Sequence, residues 1–71
     1  MKFSISESDK NKTGVYCITN NINGKIYIGS TSNSFYNRYH QHISDYKKGK
    51  HNGLLLKRAF DKHKIDNFKF S

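Results

Sequence analysis

Apolar and polar positions in this chain alternate in short blocks. Val15, Tyr16, Cys17 and Ile18 form one strand-length run of β-branched and aromatic residues, and Ile26, Tyr27 and Ile28 form a second. The pattern predicts strands over 14–19 and 25–30, joined through Asn23-Gly24. Asn-Gly is a strong hairpin signal because tight turns demand positive φ, which this pair accepts. Val15 and Cys17 fall on one face of the first strand, Tyr16 and Ile18 on the other. A loop of two or four residues places Tyr16 and Tyr27 on the same face, and an odd loop places them on opposite faces.

The period then changes. Ser30 to Ser34 is a run of capping residues, whose side-chain oxygens suit the free N–H groups of a helix start. Tyr36, Tyr39, Ile43 and Tyr46 follow at steps of three, four and three, which predicts a helix over 35–48. Arg38 and His42 are four apart and share a neighbouring face. Lys47 and Lys48 suit the negative end of the helix dipole, and Gly49 suits the stop. A second helix is expected over 53–63, with Asn52 as its cap and Leu55, Leu56, Ala59 and Phe60 as its apolar face. Residues 67–70, ending in Phe68-Lys69-Phe70, alternate with period two and read as a third strand. The expected architecture is a small α+β domain in the order β-β-α-α-β. Two helices pack on a mostly antiparallel three-stranded sheet. Residues 1–12 read as a polar N-terminal arm, anchored through Phe3 or Ile5 where it is anchored, and residues 13–71 as the domain.

Seventy-one residues make one small domain with a thin core. Thirteen Lys and Arg against five acidic residues give a net charge of +8, spread along the chain. Such a surplus favours a polyanionic partner through counterion release. Lys25, Lys47, Lys48, Lys57, Arg58 and Lys62 are the candidate phosphate contacts. Cys17 is the one cysteine, so internal disulfides and cysteine metal clusters are excluded. No apolar run reaches the ~20 residues of a membrane-spanning helix, and the N-terminus lacks a signal-peptide core. An intracellular setting is expected, in a host cell if the source is a phage or virus.

Gly14-Val15-Tyr16 followed by Tyr27-Ile28-Gly29 resembles the paired triplets of the GIY-YIG nucleases, with Val where the family has Ile in the first. The resemblance continues through Arg38 and His42 on the first helix, His51 after it, and Asn67 to Phe70 at the third strand. It implies hydrolysis of a DNA phosphodiester with a divalent ion, expected to be Mg²⁺. Tyr16 is implied as general base or water-orienting group, Tyr27 as support for it, and Arg38 as the stabiliser of charge on the phosphate. His42 and His51 are implied to relay protons or bind backbone. The pattern is nearest to the catalytic domains of phage homing endonucleases.

These roles agree with elementary chemistry. Phosphodiester hydrolysis requires an activated oxygen nucleophile and positive charge at the phosphate oxygens. Free tyrosine, with a pKa of ~10, needs a nearby cation, metal or metal-bound hydroxide to act as a base. Arginine presents a permanently charged planar fork that matches phosphate, and histidine titrates near neutrality. His40 and His63 match no position of the pattern and are read as surface residues.

One part of the pattern is absent. The resemblance implies a metal-binding glutamate on a helix after the third strand, and the sequence ends at Ser71, before that helix. Its one glutamate is Glu7, in the N-terminal arm. Asp45, Asp61 and Asp66 match no metal-ligand position. The expectation is a domain weakly active or inactive by itself. A non-catalytic nucleic-acid-binding module derived from the nuclease fold is the alternative. A third strand at an exposed edge would further offer a surface for dimer formation.

Overall fold

The computed structural model describes residues 1–49 and 54–71. Four strands, β1 (Lys2–Phe3), β2 (Gly14–Asn20), β3 (Ile26–Thr31) and β4 (Phe68–Phe70), form one sheet in the order β1-β4-β2-β3. Between β3 and β4 run α1 (Phe35–Lys48), α2 (Leu54–His63) and a 3₁₀ turn at Ile65–Asn67. The α+β expectation holds, with one strand more than the alternation signals. β2 is antiparallel to both β3 and β4, and β1 runs parallel to β4.

The hairpin loop is four residues long. Asn20 N–H donates to Lys25 O and Gly24 N–H donates to Asn20 O, both at 2.8 Å, leaving residues 21–24 as the loop. Gly24 takes the positive φ of 76° that the turn needs, while Asn23 accepts from Lys25 N–H through its side chain at 2.9 Å. An even loop sets the register Tyr16↔Gly29 and Ile18↔Tyr27. Tyr16, Ile18, Tyr27 and Gly29 therefore share one face, the face that the helices cover.

The polar N-terminal segment belongs to the sheet. Ser4 N–H donates to Phe70 O at 2.8 Å, continuing the β1–β4 pairing. Phe3 packs among Tyr36, Tyr39 and Phe70, with ring centroids at 5.5, 5.0 and 5.8 Å. The chain then passes the start of α1, where the carbonyls of Lys12 and Lys10 accept the N–H groups of Phe35 and Tyr36 at 3.0 and 2.9 Å. Those groups have no partner within the helix. The strand expected at an open edge, Phe68–Phe70, thus lies inside the sheet, because β1 covers it. The expectation of an exposed edge at that strand is corrected accordingly.

Ile18, Leu56, Phe60, Phe68, Phe70 and Tyr16 form the buried core. Each fully buried large side chain contributes ~1.5–3 kcal/mol. The expected stripe on α1 is rotated. Phe35, Tyr39 and Tyr46 pack against the core, His42 is the buried residue of the helix, and Tyr36 is 40% exposed. Ser34 caps α1, its Oγ accepting Asn37 N–H at 3.1 Å, and Gly49 closes it. On α2, Leu56 and Phe60 point inward, while Leu55 is 73% exposed and leaves the expected apolar face. The expected cap Asn52 lies outside the described residues. Among the described residues no helix is long and apolar enough to cross a membrane.

Candidate active site

Tyr16 is the centre of the site. Strand alternation turns it toward the helices, where it is 5% exposed. Its ring stacks on Phe70 of β4, centroids 4.6 Å apart and planes within 17°. The ring also crosses β3 at Gly29, its partner in register.

Two side chains of α1 converge on the Tyr16 hydroxyl. Arg38 Nε–H donates to the oxygen at 3.2 Å, and His42 Nε2 lies 2.9 Å from it. The i,i+4 spacing brings both to one side of the helix. His42 is 4% exposed and meets the Tyr16 ring edge-on at 5.7 Å. When His42 carries its proton on Nδ1, Nε2 accepts from the tyrosine hydroxyl. The hydroxyl then accepts from Arg38 and donates to His42 at once, which uses its single proton and one lone pair. The arrangement pairs an oxygen with a permanent cation and a proton acceptor. Among the described residues the remaining nitrogens of Arg38 make no hydrogen bond, so the fork keeps donors for an anionic oxygen.

The other sequence-predicted positions are distributed around this centre. Tyr27 is on the same sheet face, half-buried against the core, and lines a neighbouring groove with Lys25, Arg58 and Lys62. Lys47 and Lys48 are exposed in the last turn of α1. Lys57 is held by Asp61 at 3.1 Å. His51 lies outside the described residues. His40 is exposed and packs edge-on against Tyr36 at 4.4 Å. Two contributors carried no functional signal in the sequence beyond a triplet glycine and an alternating phenylalanine. Gly29 makes room for the Tyr16 ring, and Phe70 sets its plane.

The donor set does not suit a metal ion. Among the described residues no three His, Cys, Asp or Glu side chains are grouped to hold one. The cation nearest the Tyr16 oxygen is Arg38, which repels another. The hard ions of phosphoryl chemistry take one or two carboxylates, and among the described residues no carboxylate is grouped with others to hold one.

A sequence model of the GIY-YIG catalytic domain matches residues 12–71. The Intron-associated endonuclease 1 of Enterobacteria phage T4 is 42% identical over 52 residues, which cover 73% of this chain and 21% of that protein. A Probable intron-encoded endonuclease 1 of Neurospora crassa is 36% identical over 61 residues, covering 86% of this chain and 18% of that protein. The chain thus spans about a fifth of the length of these relatives. Among solved structures, the catalytic domain of the homing endonuclease I-TevI superposes with a TM-score of 0.75 at 38% identity, covering 84% of this chain and 63% of that one. Paired triplets on two strands joined by a four-residue loop, a tyrosine held by arginine and histidine, the sequence match and the superposition agree: this chain belongs to the GIY-YIG family.

Proposed function

We infer that this chain is the catalytic module of a DNA endonuclease, hydrolysing a phosphodiester with Tyr16 as the base or water-orienting group. The observation that carries this reading is the Tyr16 hydroxyl set between Arg38 Nε at 3.2 Å and His42 Nε2 at 2.9 Å. A water near the Tyr16 oxygen gives its proton toward that oxygen, and His42 takes the phenolic proton in turn. Arg38 holds the tyrosine through Nε and offers its terminal nitrogens to the phosphate oxygens, where negative charge grows. Tyr27 flanks the site, and Lys25, Lys47, Lys48, Arg58 and Lys62 supply positive potential for the strand.

Members of the family generally depend on a divalent metal ion. The ion proposed for this protein is Mg²⁺. The residues described do not fit it. Its carboxylate ligand is expected from outside them.

Nicking of supercoiled plasmid with Mg²⁺ or Mn²⁺ tests the reading. The chain and its Tyr16→Phe variant are compared, each in the full context that supplies the metal ligand. The expected result is nicking by the parent, with at least a hundredfold loss in the variant and unchanged plasmid binding. Equal nicking by both removes Tyr16 from the chemistry. The absence of a metal-binding group among the described residues favours one second reading, a nucleic-acid-binding module without cleavage. Salt-sensitive plasmid binding with no Tyr16-dependent nicking in any context would select it.

A further inference from the structure

Lys25, Tyr27, Leu55, Arg58, Lys62 and His63 line a groove of about 280 Å³ between the hairpin and α2. Its lining combines aromatic and aliphatic side chains with cationic ones. The volume lies at the lower limit of small-ligand sites, ~300–1,000 Å³, the scale of a single nucleotide. Lys57, one position from Arg58, is neutralised by Asp61. Lys25, Arg58 and Lys62, by contrast, have no ion pair among the described residues, so their charge is available.

The groove is placed next to the Tyr16 cluster. Tyr27 is two residues from Gly29 on the same face of β3, a distance of roughly 6.6 Å at ~3.3 Å per residue. A stacked strand advances ~3.4 Å per nucleotide. The Tyr27 wall of the groove therefore lies within a few nucleotides of a phosphate held at Tyr16.

We propose that this groove seats one unstacked nucleotide of the DNA strand being cut, its base against Tyr27 and Leu55 and its phosphate on Lys25, Arg58 and Lys62. The proposal rests on the nuclease reading for the identity of the strand. An aromatic wall beside basic side chains is how single strands are held, base faces by stacking and backbone by charge. A nucleotide taken from the stack would hold the strand in register beside the scissile phosphate.

Fluorescence anisotropy of a labelled single strand of about 12 nucleotides, titrated with salt, tests this without cleavage. The double variant Arg58→Ala/Lys62→Ala should flatten the log Kd against log salt slope by up to ~0.7, the share of the one phosphate seated there. Lys2→Ala/Lys69→Ala removes equal charge from paired positions of the β1–β4 ladder and should leave the slope alone. The parent should prefer a normal strand over an abasic strand of equal length roughly tenfold. Tyr27→Leu should abolish that preference. Leu55→Ala, an exposed position, should reduce it, and it serves if Tyr27→Leu does not fold. Equal slope changes in both double variants, or no preference over the abasic strand, would overturn the seat. So would displacement of the strand by a free deoxynucleoside monophosphate at comparable concentration. Tyr16-dependent nicking that persists alongside any of these results would leave the nuclease reading standing.

Discussion

Gly29 and Tyr16 are cross-strand partners in which one residue exists to make room for the other. A Cβ built on Gly29 would lie 2.5 Å from the Tyr16 hydroxyl oxygen and 2.9 Å from its Cε1. Gly29→Ala must push the ring off Phe70 and away from Arg38 and His42. The expected cost is about 1–3 kcal/mol in urea unfolding, the usual range for overpacking, together with loss of nicking. A variant with parental stability and activity would show that the ring has another place to lie.

Tyr16→Phe keeps the stack on Phe70 and removes the hydroxyl. Arg38 Nε loses a half-buried hydrogen bond and His42 Nε2 a buried one. A destabilisation of about 1–3 kcal/mol is expected, with the fold retained by circular dichroism. Stability equal to the parent would mean that water replaces the hydroxyl without cost.

Arg38→Lys preserves charge and loses the fork. A lysine ammonium cannot donate to Tyr16 and bind a phosphate in one plane as the guanidinium does. Nicking should fall by at least tenfold, with plasmid affinity within about twofold of the parent, since the net charge is unchanged. Full activity would assign Arg38 a purely electrostatic part.

Phe3→Ala tests the N-terminal strand. Phe3 touches Tyr36, Tyr39 and Phe70, and the neighbouring Tyr39 hydroxyl donates to Met1 O at 2.6 Å. Removing the ring should cost about 2–4 kcal/mol and raise hydrogen exchange at Ser4 N–H, which pairs with Phe70 O. Unchanged exchange there would show that backbone pairing alone holds β1.

The turn after β1 carries a pH-sensitive pair. A hydrogen bond from Lys12, a second from Ser6 and the Lys12 charge hold the Asp9 carboxyl below its ordinary range. A hydrogen bond to Asp9 and its charge raise the Lys12 ammonium. The Asp9 contribution is present above the unfolded carboxyl pKa of ~3.9 and is lost as pH falls through the lowered value. The Lys12 contribution is present below ~10.4 and is lost as pH rises through the raised one. Both groups face solvent, so salt screens the effect. In Lys12→Ala, an NMR titration should move the Asp9 midpoint up toward ~3.9; an unmoved midpoint would assign the shift to Ser6.

The sequence by itself determined the local elements and the candidate chemistry. Alternation in Val15–Ile18 and Ile26–Ile28, the Ser34 cap and the Gly49 stop are properties of a few adjacent residues, and each element forms where those residues place it. The spacing of Arg38 and His42 likewise fixed their shared side of α1. What only the tertiary structure decided depends on residues far apart in the chain. Lys2 and Phe3 are too short a run to read as a strand, and they pair because β4 offers an edge some 65 residues later. That pairing closes the edge expected for Phe68–Phe70 and brings Phe3 against Tyr36. Along α1, Tyr36 is left 40% exposed and His42 is buried. The even hairpin loop was one of two options in the sequence, and hydrogen bonds at Asn20 and Lys25 selected it. A periodic pattern states that a helix has an apolar side. Which residues meet Tyr16 is settled by what the rest of the chain packs there.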